Sequence, residues 1–232
     1  PHTESAIQTL LSALQRIVNT PRPLRVGRVA AQMFKAIGTA QKFPASFLLK
    51  HLSNPFVRAL AGKRLSSEKF TNAVLRDTVS VNILDAGYQV NVIPERAEAQ
   101  LDCRLLPETD AAEFYRWLTA VIADSRIHIE TIQSSPPSGI APEDSLFYRT
   151  VASTLKDAIP GAGVLPLLMA GATDGRYWRE RGYPAYGFTP MILEKKDMAR
   201  IHGIDERISI DNLRLGIQIT REVIRRLCVE NP

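Results

Sequence analysis

The sequence is poor in the residues that build disulfide scaffolds and metal clusters: it has two cysteines, Cys103 and Cys228, and four histidines in 232 residues. Two thiols are too few for a secreted disulfide framework or a cysteine zinc cluster, so reduced thiols and a cytoplasmic setting are favoured, the compartment being otherwise unmarked. No apolar run reaches the ~18 residues needed to span a bilayer, so no transmembrane segment is expected. The residues before the first helical stretch are acidic rather than basic, and no targeting signal is read. A Gly-x-Ser-x-Gly elbow is missing, as is a glycine loop with phosphate-binding spacing. What is there is an ordinary soluble composition, 45% hydrophobic and 23% charged. At this length it buries a core without staples, as one large domain or two small ones.

Acid is scarce in one region. Between Arg16 and Arg76 stand twelve Lys or Arg and one acid, Glu68, in a chain whose net charge is +5. Phe34, Phe43, Phe47, Phe56 and Phe70 are interleaved with these bases. Such a block can meet nucleic acid or an anionic membrane surface. Its apolar residues recur at helical spacing, however, and the plainer reading is a solvated basic face on packed helices, with nucleic acid disfavoured as a partner.

The apolar spacing of Ile7, Leu10, Leu11, Leu14, Ile17 and Val18 predicts an amphipathic helix, with Thr3 as its cap and Pro21 and Pro23 ending it. Val26 to Ile37 predicts a second helix, and Ala45 to Leu60 one or two more, broken at Pro55. The period then shortens. Thr78 to Leu84, Tyr88 to Ile93 after an Asp85-Ala86-Gly87 turn, and Ala97 to Leu106 predict a three-stranded meander, the last strand with Ala97, Ala99, Leu101, Cys103 and Leu105 on its buried face. Asp110 and Glu113 start a helix lined by Phe114, Trp117, Leu118, Val121 and Ile122, and a strand over Ile127 to Ile132 follows. This order suits an α+β layer of antiparallel strands covered by helices on one side.

Ser134 to Gly139 reads as a linker, placing a boundary between residues 1–135 and 136–232. Beyond it, a helix at Phe147 to Leu155, short strands at Val164 to Met169 and Ala185 to Phe188, and a final helix from Ile210 to Val229 argue for part of an α/β sheet. Ser209 is the expected cap of that helix. Its inner stripe is expected at Leu213, Ile217, Thr220, Ile224 and Leu227.

Few residues are candidates for chemistry. His128 and Glu130 share one face of a predicted strand at metal-binding spacing, with a solvent-facing edge as the alternative. His202 lies in the irregular segment Ile201 to Arg207, but a catalytic zinc needs about three protein ligands, and no cluster in the sequence supplies the others. Arg176, in the loop Ala170 to Arg176, suits two-pronged carboxylate recognition. Read alone, Asp174 and Arg176 fit helix capping equally well.

Taken together, Asn91-Val92-Ile93-Pro94, Ala97 to Pro107, Gly171-Ala172-Thr173-Asp174-Gly175-Arg176, Gly187-Phe188-Thr189-Pro190 and His202 to Ile208 resemble the dizinc exopeptidase family. This is the family of glutamate carboxypeptidase, aminoacylase, succinyl-diaminopimelate desuccinylase and carboxypeptidase S, the last branch being the most similar. The resemblance implies an α/β protein: an α+β lid at residues 1–135, lacking its first strand, followed at 136–232 by the C-terminal part of a catalytic domain. It further implies a zinc-dependent hydrolase that cleaves a peptide or N-acyl amino acid amide bond beside a free carboxylate, and that forms a homodimer through the lid. Two zinc ions are implied, with cobalt or manganese as alternatives. In residue terms, His202 matches a zinc ligand, Arg176 the arginine that grips the substrate carboxylate, and Asn91 a lid asparagine near the substrate. Ala172 departs from the usual second glycine of its loop. The family's other zinc ligands and its general base match nothing from Pro1 onward and are expected upstream, so no catalytic base is assigned and these residues alone are expected to be inactive. The alternative is a dimerisation or basic binding module without hydrolytic activity.

Overall fold

The computed structural model describes residues 5–135, 137–169, 171, 173–198 and 200–229, with Lys195 and Lys196 as backbone. The chain is an α/β protein with a small antiparallel sheet flanked by helices, and it forms two compact units. One takes the described residues of Pro1–Pro137 and Leu167–Gly171, the other those of Ser138–Pro166 and Ala172–Pro232.

The first unit opens with α1 (Ala6–Asn19). Its cap is Ser5, whose hydroxyl accepts from the Gln8 N–H while the Gln8 side chain accepts from the Ser5 N–H. This reciprocal box satisfies two otherwise orphaned donors and sets the start two residues later than expected; Thr3 lies outside the described residues. Four helices follow: α2 (Arg28–Thr39), α3 (Ala45–Lys50), α4 (Pro55–Ser67) and α5 (Lys69–Leu75). Pro55 separates α3 from α4 by occupying the first helical position, where no N–H is required, and the Asn54 side chain caps the start. Met33, Phe34, Leu52, Val74 and Leu75 are buried among these helices.

Two strands, β1 (Thr78–Ala86) and β2 (Ala97–Arg104), pair antiparallel from Thr78 opposite Arg104 to Ala86 opposite Ala97. The register shifts between Val81 and Ile83. The expected middle strand at Tyr88 to Ile93 is instead part of the loop that joins them. Gly87, at φ +72°, turns the chain in the left-handed region, and beyond it Tyr88 and Val90 stand in solvent. Alternating apolar residues make a strand only where one face has something to bury against, and here neither does. The meander is therefore a hairpin.

Helix α6 (Ala111–Ile122) begins at Asp110, whose carboxylate accepts from the Glu113 N–H at 2.8 Å. Phe114, Leu118 and Ile122 of α6 bury against Ala13, Leu14 and Ile17 of α1, with Val79, Val81, Leu101 and Cys103 packed on from the sheet. The expected capping reach of the Glu113 side chain is replaced by ion pairs. Its Oε1 accepts from Arg22 at 2.8 Å and Arg25 at 2.9 Å. Arg22 also donates to Asp77 at 3.1 Å and lies over the Trp117 ring, while the other Asp77 oxygen accepts from the Leu106 N–H and the Thr109 hydroxyl. Ile127 and Ile129 pack on this core as a strand's inner face would, yet residues 127–132 join no ladder among the described residues.

The second unit contains α7 (Leu146–Ala158), α8 (Gly175–Glu180), α9 (Lys195–Met198) and α10 (Ile210–Cys228). Ser209 caps α10 as expected, accepting from the Asn212 N–H. The inner stripe is not the expected one. Ile219 and Val223 bury against Val151 of α7, with Leu215 and Leu227 packed alongside, while Leu213, Ile217 and Ile224 are exposed. Both stripes have helical spacing, and α7 selects the one where Gly216 lets the helix approach the chain: a Cβ there would lie 2.9 Å from the Pro190 carbonyl oxygen. The segments expected as strands at Val164 to Met169 and Ala185 to Phe188 pair with nothing as a ladder among the described residues.

Candidate functional site

Arg176 sits in the first turn of α8. Helix α8 is too short to hold itself, and Arg179 fixes it by donating to the Ser138 hydroxyl and to the Ala185 carbonyl at 2.9 Å. The Arg176 guanidinium donates to the Tyr177 hydroxyl at 2.5 Å and lies 4.5 Å from the centre of the Tyr177 ring. That hydrogen bond holds the guanidinium above its ordinary pKa, with the nearby Glu180 and Asp174 adding to the effect. A guanidinium is charged throughout the physiological range, and here the neighbouring Tyr177 ring and hydroxyl orient it. Asp174 makes no side-chain capping bond to α8. Of the motif around it, Ala170 and Ala172 lie outside the described residues.

His202 occupies a run of turns between α9 and α10, with φ +60°, and Asp205 follows at φ +66°. Left-handed backbone is uncommon outside glycine. Here the Gly203 N–H donates to the Arg200 carbonyl at 2.8 Å across His202, and Arg207 donates to the Asp205 carboxylate at 3.2 Å. The loop's two ends are joined by Asn212, whose side chain accepts from the Ile192 N–H at 2.8 Å and donates to its carbonyl at 2.7 Å. Asn212 was not singled out by sequence reasoning, although its place three residues after the Ser209 cap marks it as a helix-start residue. Beside this clasp is a hollow of about 530 Å³ lined by Leu193, Asp197, Arg207, Ile208 and Asn212 among others.

Asn91, exposed in the loop between β1 and β2, belongs to the first unit, whereas Arg176 and His202 belong to the second. His128 and Glu130 are exposed, with the intervening Ile129 turned to the core, as a solvent-facing edge would be. No group of three or more His, Cys, Asp or Glu is placed to hold a metal ion among the described residues. His202 offers a single imidazole, so these residues do not by themselves fit a catalytic zinc.

Residues 1–128 match the family model of the peptidase dimerisation domain of M20 peptidases. The chain belongs to the M20 peptidase family. Members of this family are dizinc peptidases. Among M20 relatives, the N-fatty-acyl-amino acid synthase/hydrolase PM20D1 of Xenopus tropicalis is 30% identical over 100% of this chain and 45% of its own length. A Dictyostelium discoideum protein named "Probable carboxypeptidase S-like 2" is 30% identical over 97% of this chain and 43% of its own. The chain thus spans under half the length of the curated relatives it matches. In fold it is similar to the M20 family metallo-carboxypeptidase Sso-CP2 of Sulfolobus solfataricus, with a TM-score of 0.53 at 15% identity, covering 97% of this chain and 56% of that one.

Proposed function

We propose that this chain comprises the lid, residues 1–135, and the C-terminal part of the catalytic domain, residues 136–232, of a zinc-dependent M20 hydrolase closest to the carboxypeptidase S branch. Such an enzyme cleaves a peptide or N-acyl amino acid amide bond beside a free carboxylate. The observation that carries the reading is the likeness to the Xenopus PM20D1 protein across the whole chain, through Arg176 and His202. Packing supports it. The exposed stripe Leu213, Ile217 and Ile224 of α10 and the unladdered segments at 164–169 and 185–188 are what a helix and strands of an α/β layer present when neighbouring strands complete it.

In this reading Arg176 binds the substrate carboxylate, His202 supplies one zinc ligand, and Asn91 reaches the substrate from the lid, through which two subunits pair. The other zinc ligands and the general base come from residues this chain does not contain. The chain alone then hydrolyses no N-acyl amino acid or dipeptide, with or without added zinc, and turnover above a His202→Ala control would overturn the assignment. In the complete enzyme, Arg176→Lys keeps the charge but loses the planar fork. It should cost about 2–4 kcal/mol in transition-state binding for a substrate with a free carboxylate while leaving zinc content unchanged. Equal slowing on the amide or ester analogue would make Arg176 a structural residue instead.

A further inference from the structure

Helix α4 shows apolar side chains on two opposite faces. Val57 and Leu65 are buried, while Phe56, Ala59, Leu60, Lys63 and Arg64 are exposed at the four-residue spacing of a single outer face. Phe56 is 80% and Leu60 72% exposed, and Phe43, just before the neighbouring α3, is 83% exposed. On α3 itself Phe47 is turned outward, its ring tilted by 31° against the His51 ring with centres 4.5 Å apart. Burial of these groups elsewhere would stabilise the fold, so their display in one region is a feature to be explained.

The charge around them is uncompensated. Arg22 and Arg25 of the basic stretch are paired with carboxylates, Arg16 donates to the Ile122 carbonyl, and Arg76 to the Ser66 hydroxyl. Lys42, Lys50, Lys63, Arg64 and Lys69 are exposed instead, and among the described residues none of them enters an ion pair. Arg28 and Lys35 of α2 are likewise exposed and in no ion pair among the described residues, while Lys42, Lys50, Lys63, Arg64 and Lys69 flank the exposed phenyl groups in the chain.

We infer that the α3–α4 face docks on an anionic lipid surface, with Phe43, Phe56 and Leu60 entering the boundary between headgroups and acyl chains and the lysines and arginine meeting the lipid phosphates and carboxylates. Apolar anchors rimmed by bases are the arrangement that binds such an interface. A nucleic acid would use the phenyl faces for stacking but has no place for Leu60. A second copy of the same face would bring its bases against these, at an electrostatic cost. The inference uses neither Arg176 nor His202, and so stands or falls separately from the hydrolase reading.

Co-sedimentation of the 232-residue chain with vesicles tests it. Binding should be strong to equal mixtures of phosphatidylcholine and phosphatidylserine, should fall as salt rises, and should be weak to phosphatidylcholine alone. Phe56→Ser with Leu60→Ser should lower partitioning by roughly tenfold or more, and Lys63→Glu with Arg64→Glu should remove the preference for the anionic vesicles. Both pairs project outward, and an unchanged thermal melt confirms that each variant folds. Three results would overturn the inference: binding indifferent to phosphatidylserine, binding unaffected by both pairs, or a single-stranded oligonucleotide that displaces the chain from vesicles and still binds the Ser variant. Sedimentation showing a dimer that only the Ser variant loses would assign the face to a second copy instead.

Discussion

The first unit buries α1 against α6 over a paired sheet and crosses its helical layers with a network anchored on Asp77, whereas the second buries Val151, Ile219 and Val223 as its hydrophobic core and has no ladder among its described residues. In the first, the Arg76 Nε is buried without a hydrogen-bond partner, but a shared acceptor gathers several others beneath the surface. Asp77 alone accepts from Arg22, Leu106 and Thr109. In the second, the Thr154 hydroxyl is buried without a hydrogen-bond partner, and the polar ties between α7 and α10, from Arg226 to Ser153 and Asp157, lie at the surface. The residues that match the dimerisation domain lie in the first unit, where α1, α6 and the hairpin supply one another's core contacts. A portion of a catalytic domain need not do so, because its faces are closed by the rest of the layer under the reading proposed above.

The largest effect that would sharpen this contrast is at Asp77. Asp77→Ala removes one buried charge beneath Arg22, which is 7% exposed, and leaves the Leu106 N–H and the Thr109 hydroxyl without their acceptor. The expected loss is about 3–5 kcal/mol in denaturant unfolding of the first unit. A loss within the ordinary scatter of surface substitutions would mean that the network is ornamental and that the apolar core alone holds this unit.

The second comparison is internal to α10. Ile219→Ala should cost about 2–4 kcal/mol, because it empties a site 2% exposed against α7. Ile217→Ala, two residues away and 59% exposed, should change stability by no more than about 0.5 kcal/mol in this chain. Equal costs would show that the outer stripe is covered, and would dissolve the difference drawn between the units.

Elements whose partner is close in sequence, or whose ends carry capping chemistry, were legible before the structure. Asp110 and Ser209 start their helices where expected, and the alternation of β2 puts Leu101 and Cys103 on the core. Elements defined by what they face were not. Tyr88 to Ile93 alternates well but meets no sheet, α10 carries two stripes of equal spacing, and the seven residues of α5 are too few to show a period. The Arg22–Asp77–Glu113 network joins positions 55 and 91 residues apart, so no local signal marks it. As for the candidate site, Arg176, His202 and Asn91 were reached through the resemblance to a family. Spacing alone could not separate an arginine that binds a carboxylate from one that caps a helix.

The smallest effect concerns acid. Glu222 of α10 accepts from Arg225 and Arg226, and these bonds pull its pKa from 4.5 to about 2. Arg226 continues to Asp157 of α7 at 2.9 Å, so the carboxylate steadies the side chain that ties the two helices of the second unit. A depressed pKa in the folded state adds stability that is complete above the unfolded value and disappears as pH falls through the folded one. The advantage of the natural chain over Glu222→Gln should therefore be full above pH 4.5 and shrink toward pH 2. Because these groups are partly exposed, it should also shrink with added salt at neutral pH. Thermal melts of both chains across that range are the measurement. A difference that stays constant from pH 5 to pH 2 would mean that Glu222 acts through packing of its methylenes rather than through charge.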